Sequence, residues 1–266
     1  MNTLDSIQNF KMYRGKLEDR KLSEGDRLQL VQAAQWAPSG HNSQPWEFLF
    51  VDDPELTKKI AEIATSNFDK FLEEDPHLIT WVKNFGFWAR KSREELEQHR
   101  DGIYFMNYAE VDWDEIRNMT DEEAIRKRAV TIFSSNGQPN KFIATAPCLL
   151  FTLLNSERAV PDYSRDILEL TSAGAAMQNL RLAALEMGIA VHEQSLLYDL
   201  PDNRKALGEL LGLPEHLRII GGMRMGYRTK GVRSSFTHVR RPTEEITHHN
   251  RYQGLTGTAP YRKTAI

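Results

Sequence analysis

The sequence predicts an α+β fold in which a small sheet is flanked by helices. Segments whose apolar residues recur at helical spacing clearly outnumber the segments that are typical of strands. The strand-like segments are four short apolar runs, which suit one small sheet. The chain has 266 residues, of which 40% are hydrophobic and 27% charged, so its composition is that of a globular protein with a sizeable core.

The first two elements are predicted to be helices. Apolar residues at helical spacing indicate a short helix that ends near Gly15, namely Ile7, Phe10 and Tyr13. Ser23, with Asp26 three residues later, resembles a capping box and predicts the start of a second helix. The broad apolar face of that helix consists of Leu28, Leu30, Val31, Ala34 and Trp36.

The middle of the chain begins with a strand and then becomes helical and aromatic. The continuous apolar run 48–51 predicts a strand buried on both faces, and 54–65 predicts a helix. From 67 to 137 the chain is aromatic and charged, without a clear strand. We predict at least two helices there, about 69–99 and 121–146, joined by a loop around 102–120. The aromatic residues indicate a layer that covers a site or packs on a partner; filling a small helical subdomain is the alternative.

The second half of the chain supplies the remaining strands and the longest helix, which is rich in alanine and so allows close approach by another helix. In order, the predicted elements are a buried strand at 148–154, a helix at 164–187 that Gly188 ends, a strand beginning at 189–191, a helix at 201–211 and a strand at 217–227. Gly221 and Gly222 mark a bulge or bend in the last strand.

Charge and cysteine content exclude several classes of function. The formal net charge of −3 argues against broad attraction to nucleic acid or to an anionic membrane. The single cysteine, Cys148, excludes a disulfide scaffold and a cysteine-rich metal site, and it fits a reducing compartment. We expect no signal peptide, and the longest uncharged apolar run, 142–154, is too short to span a bilayer. These observations predict a cytoplasmic protein.

The helix-to-strand connection 36–46 is the stretch most typical of a binding site. Pro38 ends the helix and Pro45 begins the extended segment, because each ring fixes the backbone and removes a donor. Gly40 permits backbone angles that other residues avoid. The residues between the prolines that can hydrogen-bond are Ser39, His41, Asn42, Ser43 and Gln44. Such a turn can hold a flat heterocycle by its polar edge; an ordinary polar loop is the alternative.

Basic residues near both ends of the chain are candidates for an anion site. They are Lys11 and Arg14 early in the chain, and Arg240 and Arg241 late in it. Guanidinium groups fork onto phosphate oxygens, so neighbouring arginines suit a phosphate. Solvated surface charge is one alternative. A basic tail for nucleic acid is another, and the near-neutral net charge argues against it.

The remaining motifs do not predict a specific chemistry. His248 and His249 have no carboxylate or cysteine at ligand spacing, so no metal site is expected. The sequence has no Walker motif and no Gly-x-Ser-x-Gly elbow, and 221–226 is not a Gly-x-Gly-x-x-Gly fingerprint. The polar run 192–195 follows the third strand and fits either an acid/base set or a strand-end loop.

Four segments resemble the nitroreductase family of dimeric FMN flavoproteins. Residues 37–46, Ala-Pro-Ser-Gly-His-Asn-Ser-Gln-Pro-Trp, resemble the family's specific Ala-Pro-Ser-x-x-Asn-x-Gln-Pro-Trp signature. Residues 144–150 are similar to its buried strand after an Ala-Pro step, and 174–189 resemble its central dimer helix. Residues 225–227 together with 240–246 resemble its C-terminal strand and arm.

The resemblance spans 7–66 and 138–250, and it implies a nitroreductase-like fold for the whole chain, 1–266. The implied fold is a mixed small sheet flanked by helices, with a long helical insertion at about 67–137 and a C-terminal arm. Two interlocked protomers would hold an FMN in each of two interface clefts. The insertion would act as a lid, because the family builds its substrate-side lid there. It is longer than usual in this chain, so the resemblance does not identify the substrate.

By position, the resemblance also implies the contacts to FMN. Lys11 and Arg14 would meet the phosphate from one end of the chain, and Arg240 or Arg241 from the other. The flavin ring would lie along Pro38, Ser39, Gly40, His41, Asn42 and Gln44. Gln194 and Ser195 would lie near its reactive nitrogen through backbone groups. The family's first motif usually reads Arg-Arg-Ser-x-Arg, whereas residues 10–14 read Phe-Lys-Met-Tyr-Arg, which leaves two cations.

The expected function is an FMN-dependent oxidoreductase in which NAD(P)H gives hydride to the flavin and leaves. An electrophilic acceptor, such as a nitroaromatic or a quinone, then takes the electrons from the same face. No catalytic side chain is expected, because the flavin carries the chemistry. Asn42, Gln44 and Arg14 would stabilise the negative charge of the reduced flavin. The alternatives are reductive dehalogenation, oxidation of a substrate, and a flavin-binding store or sensor without turnover.

Overall fold

The computed structural model describes residues 2–85, 111–160, 166–229 and 247–252. The chain divides into two compact units, one formed by Met1–Lys70 with Ser135–Ser234 and the other by Phe71–Ser134 with Ser235–Ile266. The first unit contains the whole described sheet, and the second contains most of the predicted insertion.

Helices outnumber strands within the described ranges, as the sequence predicts. The helices are α1 (Thr3–Asn9), α2 (Glu24–Gln35), α3 (Pro54–Glu74), α4 (Leu78–Phe85), α5 (Trp113–Asn118), α6 (Glu122–Phe133), α7 (Lys141–Ala144), α8 (Ile167–Glu186) and α9 (Pro201–Leu210). The strands are β1 (Trp46–Val51), β2 (Cys148–Asn155), β3 (Ile189–Glu193) and β4 (Leu217–Tyr227). Short 3₁₀ turns lie at Gly40–Asn42, Ser156–Arg158 and Ser195–Leu197.

The four strands form one sheet in the order β1-β2-β4-β3. The resemblance implies a mixed sheet, whereas the pairings among the described strands are antiparallel. Thr152 pairs with Gly221 and Leu153 with Ile219, so a bulge falls beside the predicted glycine pair. A Cβ added at Gly222 would lie 2.8 Å from the side chain of Leu197, which shows that this glycine lets a neighbouring turn pack closely on the strand.

The central strand β2 is buried along its whole length, which confirms the prediction for 148–154. The thiol of Cys148 lies in this strand, and burial raises its pKa to about 12. β1 is different, because only its end residues Trp46 and Val51 are buried and Glu47 is exposed. The predicted burial of this strand on both faces is therefore wrong. It lies at the edge of the described sheet and is only partly covered.

The predicted capping box opens α2. Ser23 Oγ accepts from the backbone N–H of Asp26 at 3.0 Å, and the Asp26 side chain accepts from the backbone N–H of Ser23 at 3.2 Å. The predicted apolar face of this helix is broader than the face that is buried. Leu30 and Ala34 are fully buried, but Leu28 is 55% and Trp36 is 83% exposed.

The first helix is shorter than predicted, because α1 ends at Asn9 rather than near Gly15. Phe10 has extended backbone angles, and the chain then runs along the sheet, where the backbone N–H of Tyr13 donates to Val191 O at 2.8 Å. Tyr13 is buried and packs with Leu17 and Ala190. The spacing that suggested a longer helix therefore belongs to a helix followed by an extended segment.

The predicted helices of the insertion are broken into shorter ones. α3 continues past 65 and ends at Glu74, and α4 begins at Leu78. The helix predicted at about 69–99 is therefore interrupted between these two residues. The helix predicted at 121–146 is divided into α6 and α7. The loop predicted around 102–120 contains α5. Residues 86–110 lie outside the described residues. The aromatic side chains of that stretch, which belong to the predicted layer, therefore lie outside them too.

The described aromatic residues of the second unit pack on one another. The Trp81 ring lies edge-to-face with Phe71 at 5.6 Å and with Phe133 at 5.1 Å between ring centroids. The Arg126 guanidinium donates to the backbone carbonyls of Leu72 at 3.1 Å and Asp75 at 2.9 Å. These contacts fit the alternative in which aromatic residues fill a small helical subdomain.

The longest helix of the C-terminal half is close to its prediction. α8 spans Ile167–Glu186, and Gly188 follows it with a φ of +69°, the left-handed conformation that ends many helices. The predicted start at 164 lies outside the described residues. β3 begins at Ile189, as predicted, and ends at Glu193. β4 has the predicted bounds, 217–227, and α9 ends one residue earlier than predicted.

Candidate functional site

The connection between α2 and β1 has an unusual backbone. Three of its residues that are not glycine have positive φ angles: 51° at His41, 56° at Asn42 and 47° at Gln44. A side chain with a Cβ disfavours this conformation, so the surrounding structure must stabilise it. Gly40, in contrast, has no positive φ. The unusual backbone angles therefore fall at three of the polar residues that the sequence marks as candidates.

Hydrogen bonds hold this loop in place. Ser39 Oγ accepts from the backbone N–H of Gln44 at 3.0 Å, and Gln44 Nε2 donates to Asn42 Oδ1 at 3.2 Å. The backbone N–H of Gly40 donates to Ser172 Oγ of α8 at 3.4 Å. The loop is thus a preformed turn attached to the longest helix. It presents exposed residues on its outer side, which are Pro38, His41 and Asn42.

The N-terminal basic residues lie on the extended segment that follows α1. Lys11 is exposed and Arg14 is partly buried. Arg224, a buried residue of β4, donates through Nη2 to the carbonyls of Tyr13 at 3.1 Å and Gly15 at 2.8 Å. Arg14 therefore lies between two backbone carbonyls that share one donor.

A buried polar cluster lies at the end of β3. His192 is 4% exposed and pairs across the sheet with Arg224. Its Nδ1 lies 2.9 Å from Gln194 Nε2, and its ring meets Phe142 edge-to-face at 5.1 Å. Burial, and then the nearby charges of Arg14 and Arg224, lower the pKa of His192 to about 3. His192 is therefore neutral at physiological pH, and Nδ1 accepts the hydrogen bond from Gln194.

The two residues predicted to lie near the flavin nitrogen differ in their surroundings. Gln194 is 6% exposed, and its backbone N–H donates to Gly222 O at 2.7 Å. Ser195 is exposed and opens a 3₁₀ turn, and the first N–H groups of a helical turn have no acceptor within that turn. Of the two backbone donors, that of Ser195 is the better candidate for a ligand.

A single chain does not bring all the predicted residues together. Trp46, just after the loop, pairs with Leu154, which pairs with Arg218 of β4. His192, beside Arg14, pairs with Arg224. Positions 218 and 224 are six residues apart, which is roughly 20 Å at about 3.3 Å per residue along a strand. The loop and the cluster around Arg14 therefore lie toward opposite ends of the sheet.

The described residues include neither the late basic pair nor a cluster of metal-binding side chains. Arg240 and Arg241 lie outside the described residues. In the described ranges no group of three or more histidine, cysteine, aspartate or glutamate side chains is arranged to hold a metal ion. The described helices also include none with the length and apolar character needed to cross a membrane.

Sequence reasoning misses Arg224, although a signal for it exists. It is one of two arginines in the otherwise apolar strand 217–227, and it stands between two apolar residues, Met223 and Met225, in a run that is buried from 221 to 226. A buried guanidinium must find acceptors, so such a residue predicts a fixed hydrogen-bonding partner. His192 is singled out by the sequence only as part of a polar run, and its role in holding Gln194 depends on tertiary contacts.

Comparison with known proteins identifies relatives of this arrangement. The Nitroreductase family matches residues 11–227. A protein of Archaeoglobus fulgidus named as a candidate NADH dehydrogenase/NAD(P)H nitroreductase is 45% identical over 47 residues, which are 18% of this chain and 27% of that relative's length. The match thus spans about a quarter of the relative.

Solved structures share the fold over most of the chain. The NADPH:FMN oxidoreductase of Vibrio harveyi, complexed with NAD⁺, is 18% identical with a TM-score of 0.59, covering 95% of this chain and 79% of that one. Iodotyrosine deiodinase bound to FMN and 3-iodo-L-tyrosine is 20% identical with a TM-score of 0.54, covering 94% of this chain and 99% of that one. At these identities the likeness shows a common fold.

Proposed function

The chain belongs to the nitroreductase family, and we propose that it is an FMN-dependent oxidoreductase that uses NAD(P)H to reduce an electrophilic organic substrate. The observation that carries this proposal is the strained loop 39–44. Its left-handed residues His41, Asn42 and Gln44 belong to a turn that is held by hydrogen bonds within the chain. Strain of this kind is typical of ligand-binding loops, and amide side chains suit the polar edge of a flavin.

The described residues fit FMN at three points. Arg14 supplies a cation for the phosphate, with the exposed Lys11 close in sequence. Two amide side chains of the loop, the exposed Asn42 and the partly buried Gln44, can donate to the pyrimidine edge. The backbone N–H of Ser195 can donate to the ring, whereas that of Gln194 already donates to Gly222. The contribution of Arg240 or Arg241 to the phosphate remains part of this proposal.

The chain's own groups would bind, orient and stabilise charge. FMN, when bound, supplies the hydride chemistry of the reaction. Asn42, Gln44 and Arg14 would stabilise negative charge on the ligand, since preformed donors cost little reorganisation. His192 would remain neutral and hold the side chain of Gln194 in one orientation. We propose that donor and acceptor bind in turn, the nicotinamide leaving before an acceptor such as a nitroaromatic or quinone enters.

We also propose a homodimer with two composite sites. The loop 38–44 and the cluster around Arg14 lie toward opposite ends of one protomer's sheet, so a loop from a second copy would complete each site. Large apolar side chains are exposed on α1, α2 and α8 of the first unit, namely Leu4, Ile7, Leu28, Trp36, Ile167, Leu168 and Leu170. Exposed apolar surface of this kind is typical of a subunit interface.

We further propose that the chain has a lid over its substrate site and that the protein is located in the cytoplasm. The helical segment 67–137 is proposed to cover the substrate side, in line with its family resemblance. A cytoplasmic location is proposed because the single cysteine, Cys148, is a buried thiol, and reducing compartments keep such thiols unpaired.

The decisive experiment is a visible absorption spectrum of the purified protein, repeated without oxygen after addition of NADPH and then NADH. We expect a flavin spectrum that one of the nucleotides bleaches. A flavin that stays oxidised would contradict the nicotinamide step and favour dehalogenation, substrate oxidation or a binding role. If no flavin is bound after incubation with FMN, the proposed function is wrong.

A loop variant shows whether the bound flavin uses the proposed residues. Asn42→Ala should weaken FMN binding or change the rate of bleaching. Ser43→Ala is the matched control, because Ser43 has right-handed backbone angles in the same loop. Equal flavin content and turnover in both variants would remove Asn42 from the site.

A further inference from the structure

Arg224 is positioned to control the backbone around Arg14. It is 3% exposed, and its Nη2 donates to Tyr13 O at 3.1 Å and to Gly15 O at 2.8 Å. One nitrogen thus bridges the carbonyl groups on both sides of Arg14. This donor fixes the two peptide groups relative to β4, and with them the direction in which Arg14 leaves the backbone.

The other contacts of Arg224 keep its guanidinium in one place. The guanidinium carbon lies 4.6 Å from the centroid of the Phe142 ring, within the range of a cation–π contact. In the register of β3 and β4, Arg224 is paired with His192. Burying a guanidinium costs free energy unless its N–H groups donate to acceptors. The carbonyls of Tyr13 and Gly15 are such acceptors, so they stabilise the buried charge of Arg224, and Arg224 in turn holds them in place.

Arg224 and Arg14 are also coupled through their charges. Burial lowers the pKa of Arg224 to about 10, and the charge of Arg14 contributes to the lowering. Arg224 is therefore protonated at neutral pH, while His192 is neutral. Two neighbouring cations repel each other, and a phosphate dianion bound by Arg14 would offset that repulsion.

We propose that Arg224 is a positioning residue for a phosphate monoester, acting by fixing the backbone on both sides of Arg14. It would not touch the ligand, because it is almost completely buried. The inference rests on the proposed function, in which Arg14 meets the phosphate of FMN. It adds a residue that neither the sequence motif nor the resemblance assigns.

The test compares FMN with riboflavin, which has the same ring but no phosphate. Dissociation constants for both are measured by fluorescence titration for the wild type, Arg224→Met and Arg224→Lys. We expect Arg224→Met to lower the ratio of the riboflavin to the FMN dissociation constant by about tenfold, the effect of losing about 1.4 kcal/mol. Arg224→Lys, which keeps a charged donor, should recover part of the ratio and covers the case in which the methionine variant does not fold.

Arg126→Met is the matched control. Arg126 also donates to two backbone carbonyls, those of Leu72 and Asp75, but it lies in the other unit. We expect it to leave the ratio unchanged. A ratio that stays constant in Arg224→Met, or equal losses of both ligands, would overturn the inference, because a structural role alone weakens both flavins alike.

Arg14→Met separates this inference from the function on which it rests. If wild type binds neither flavin, the proposed function is wrong. If wild type binds FMN but Arg14→Met keeps the ratio, the phosphate is bound elsewhere, and the roles of Arg14 and Arg224 are both overturned while the FMN-dependent function stands. If Arg224 acts through Arg14, then adding Arg224→Met to Arg14→Met should change the ratio no further.

Discussion

Gly15 lies under the ring of Tyr13, where a side chain does not fit. A Cβ at position 15 would lie 2.4 Å from the Tyr13 hydroxyl oxygen and 2.5 Å from Cζ. The Tyr13 ring is 2% exposed and cannot move away freely. The hydroxyl also donates to Lys16 O at 3.1 Å, which closes the turn after Arg14. Gly15 is thus part of what shapes the proposed phosphate segment.

We predict that Gly15→Ala lowers the free energy of unfolding by about 1–3 kcal/mol, the usual effect of overpacking. Gly208→Ala is the control, since a Cβ there meets nothing within 4 Å and α9 favours alanine. Urea denaturation of both variants measures the change. Equal stability of Gly15→Ala and wild type would show that the Tyr13 ring moves easily.

The buried imidazole of His192 makes a prediction about pH. Its pKa is lowered from 6.5 to about 3 in the folded protein, so the unfolded chain binds the proton first as the pH falls. The contribution of His192 to stability is therefore full above pH 6.5 and is lost below it, by about 1.4 kcal/mol per pH unit. Between pH 7 and pH 5 the loss is about 2 kcal/mol.

The variant His192→Asn removes the titration and keeps an oxygen that can accept from Gln194. We expect the difference in unfolding free energy between pH 7 and pH 5 to be smaller in this variant by about 2 kcal/mol. Chemical denaturation at the two pH values measures it, and other titrating groups cancel in the comparison. The same pH dependence in variant and wild type would show that His192 is not held neutral.

Single residues also show what the sequence can predict. The capping box of Ser23 and Asp26 is local, so its spacing in the sequence is enough to find it. The loop 36–46 is likewise found from its composition. The hydrogen bonds from Arg224 to the carbonyls of Tyr13 and Gly15 join positions more than 200 residues apart. Only the pairing of strands brings these residues together, so local patterns do not contain it.

At the scale of elements, whether a segment is a helix or a strand is easier to predict than how deeply it is buried. The four strands and the main helices lie where apolar periodicity places them. Whether a strand is central or at an edge depends on its neighbours, which is why the predicted double burial of β1 is wrong. The breaks near 75 and 134–140 interrupt helical patterns that continue through them, so the predicted helices were too long.

Trp36 at the end of α2 tests the proposed subunit interface. It is 83% exposed, an unusual exposure for the largest apolar side chain. We predict that Trp36→Glu shifts the dimer toward monomer by at least about tenfold in dissociation constant, because burying a new unpaired charge costs more than 1.4 kcal/mol. Analytical ultracentrifugation measures the shift.

Lys205→Glu is the control for this prediction. Lys205 is exposed on α9 and the substitution changes the charge more than Trp36→Glu does, without removing an exposed apolar group. We expect the control to keep the dimer. An unchanged association state in Trp36→Glu would place the interface elsewhere.

At the scale of the whole molecule, the separation of the loop from the Arg14 cluster predicts complementation between inactive variants. Arg14→Met and Asn42→Ala would each damage one half of the proposed composite site. In a heterodimer of the two, one site carries both changes and the other carries none. Random assortment should therefore restore about one quarter of the wild-type activity.

Co-expression of the two variants with different tags, followed by tandem purification, gives the heterodimer directly. Its activity per dimer should be about half that of wild type, because one of two sites is intact. Each homodimer carries the change in both of its sites and should have low activity. A heterodimer as inactive as the homodimers would show that Arg14 and Asn42 serve one site from the same protomer.

The burial of Cys148 has a practical consequence for measuring distances in solution. A buried thiol with a pKa of about 12 at the start of β2 is almost entirely protonated at neutral pH, and it is out of reach of maleimide reagents. A cysteine introduced at an exposed position such as Lys205 would then be the site of labelling, without first replacing Cys148. Spin labels at that position in both copies would report one intersubunit distance.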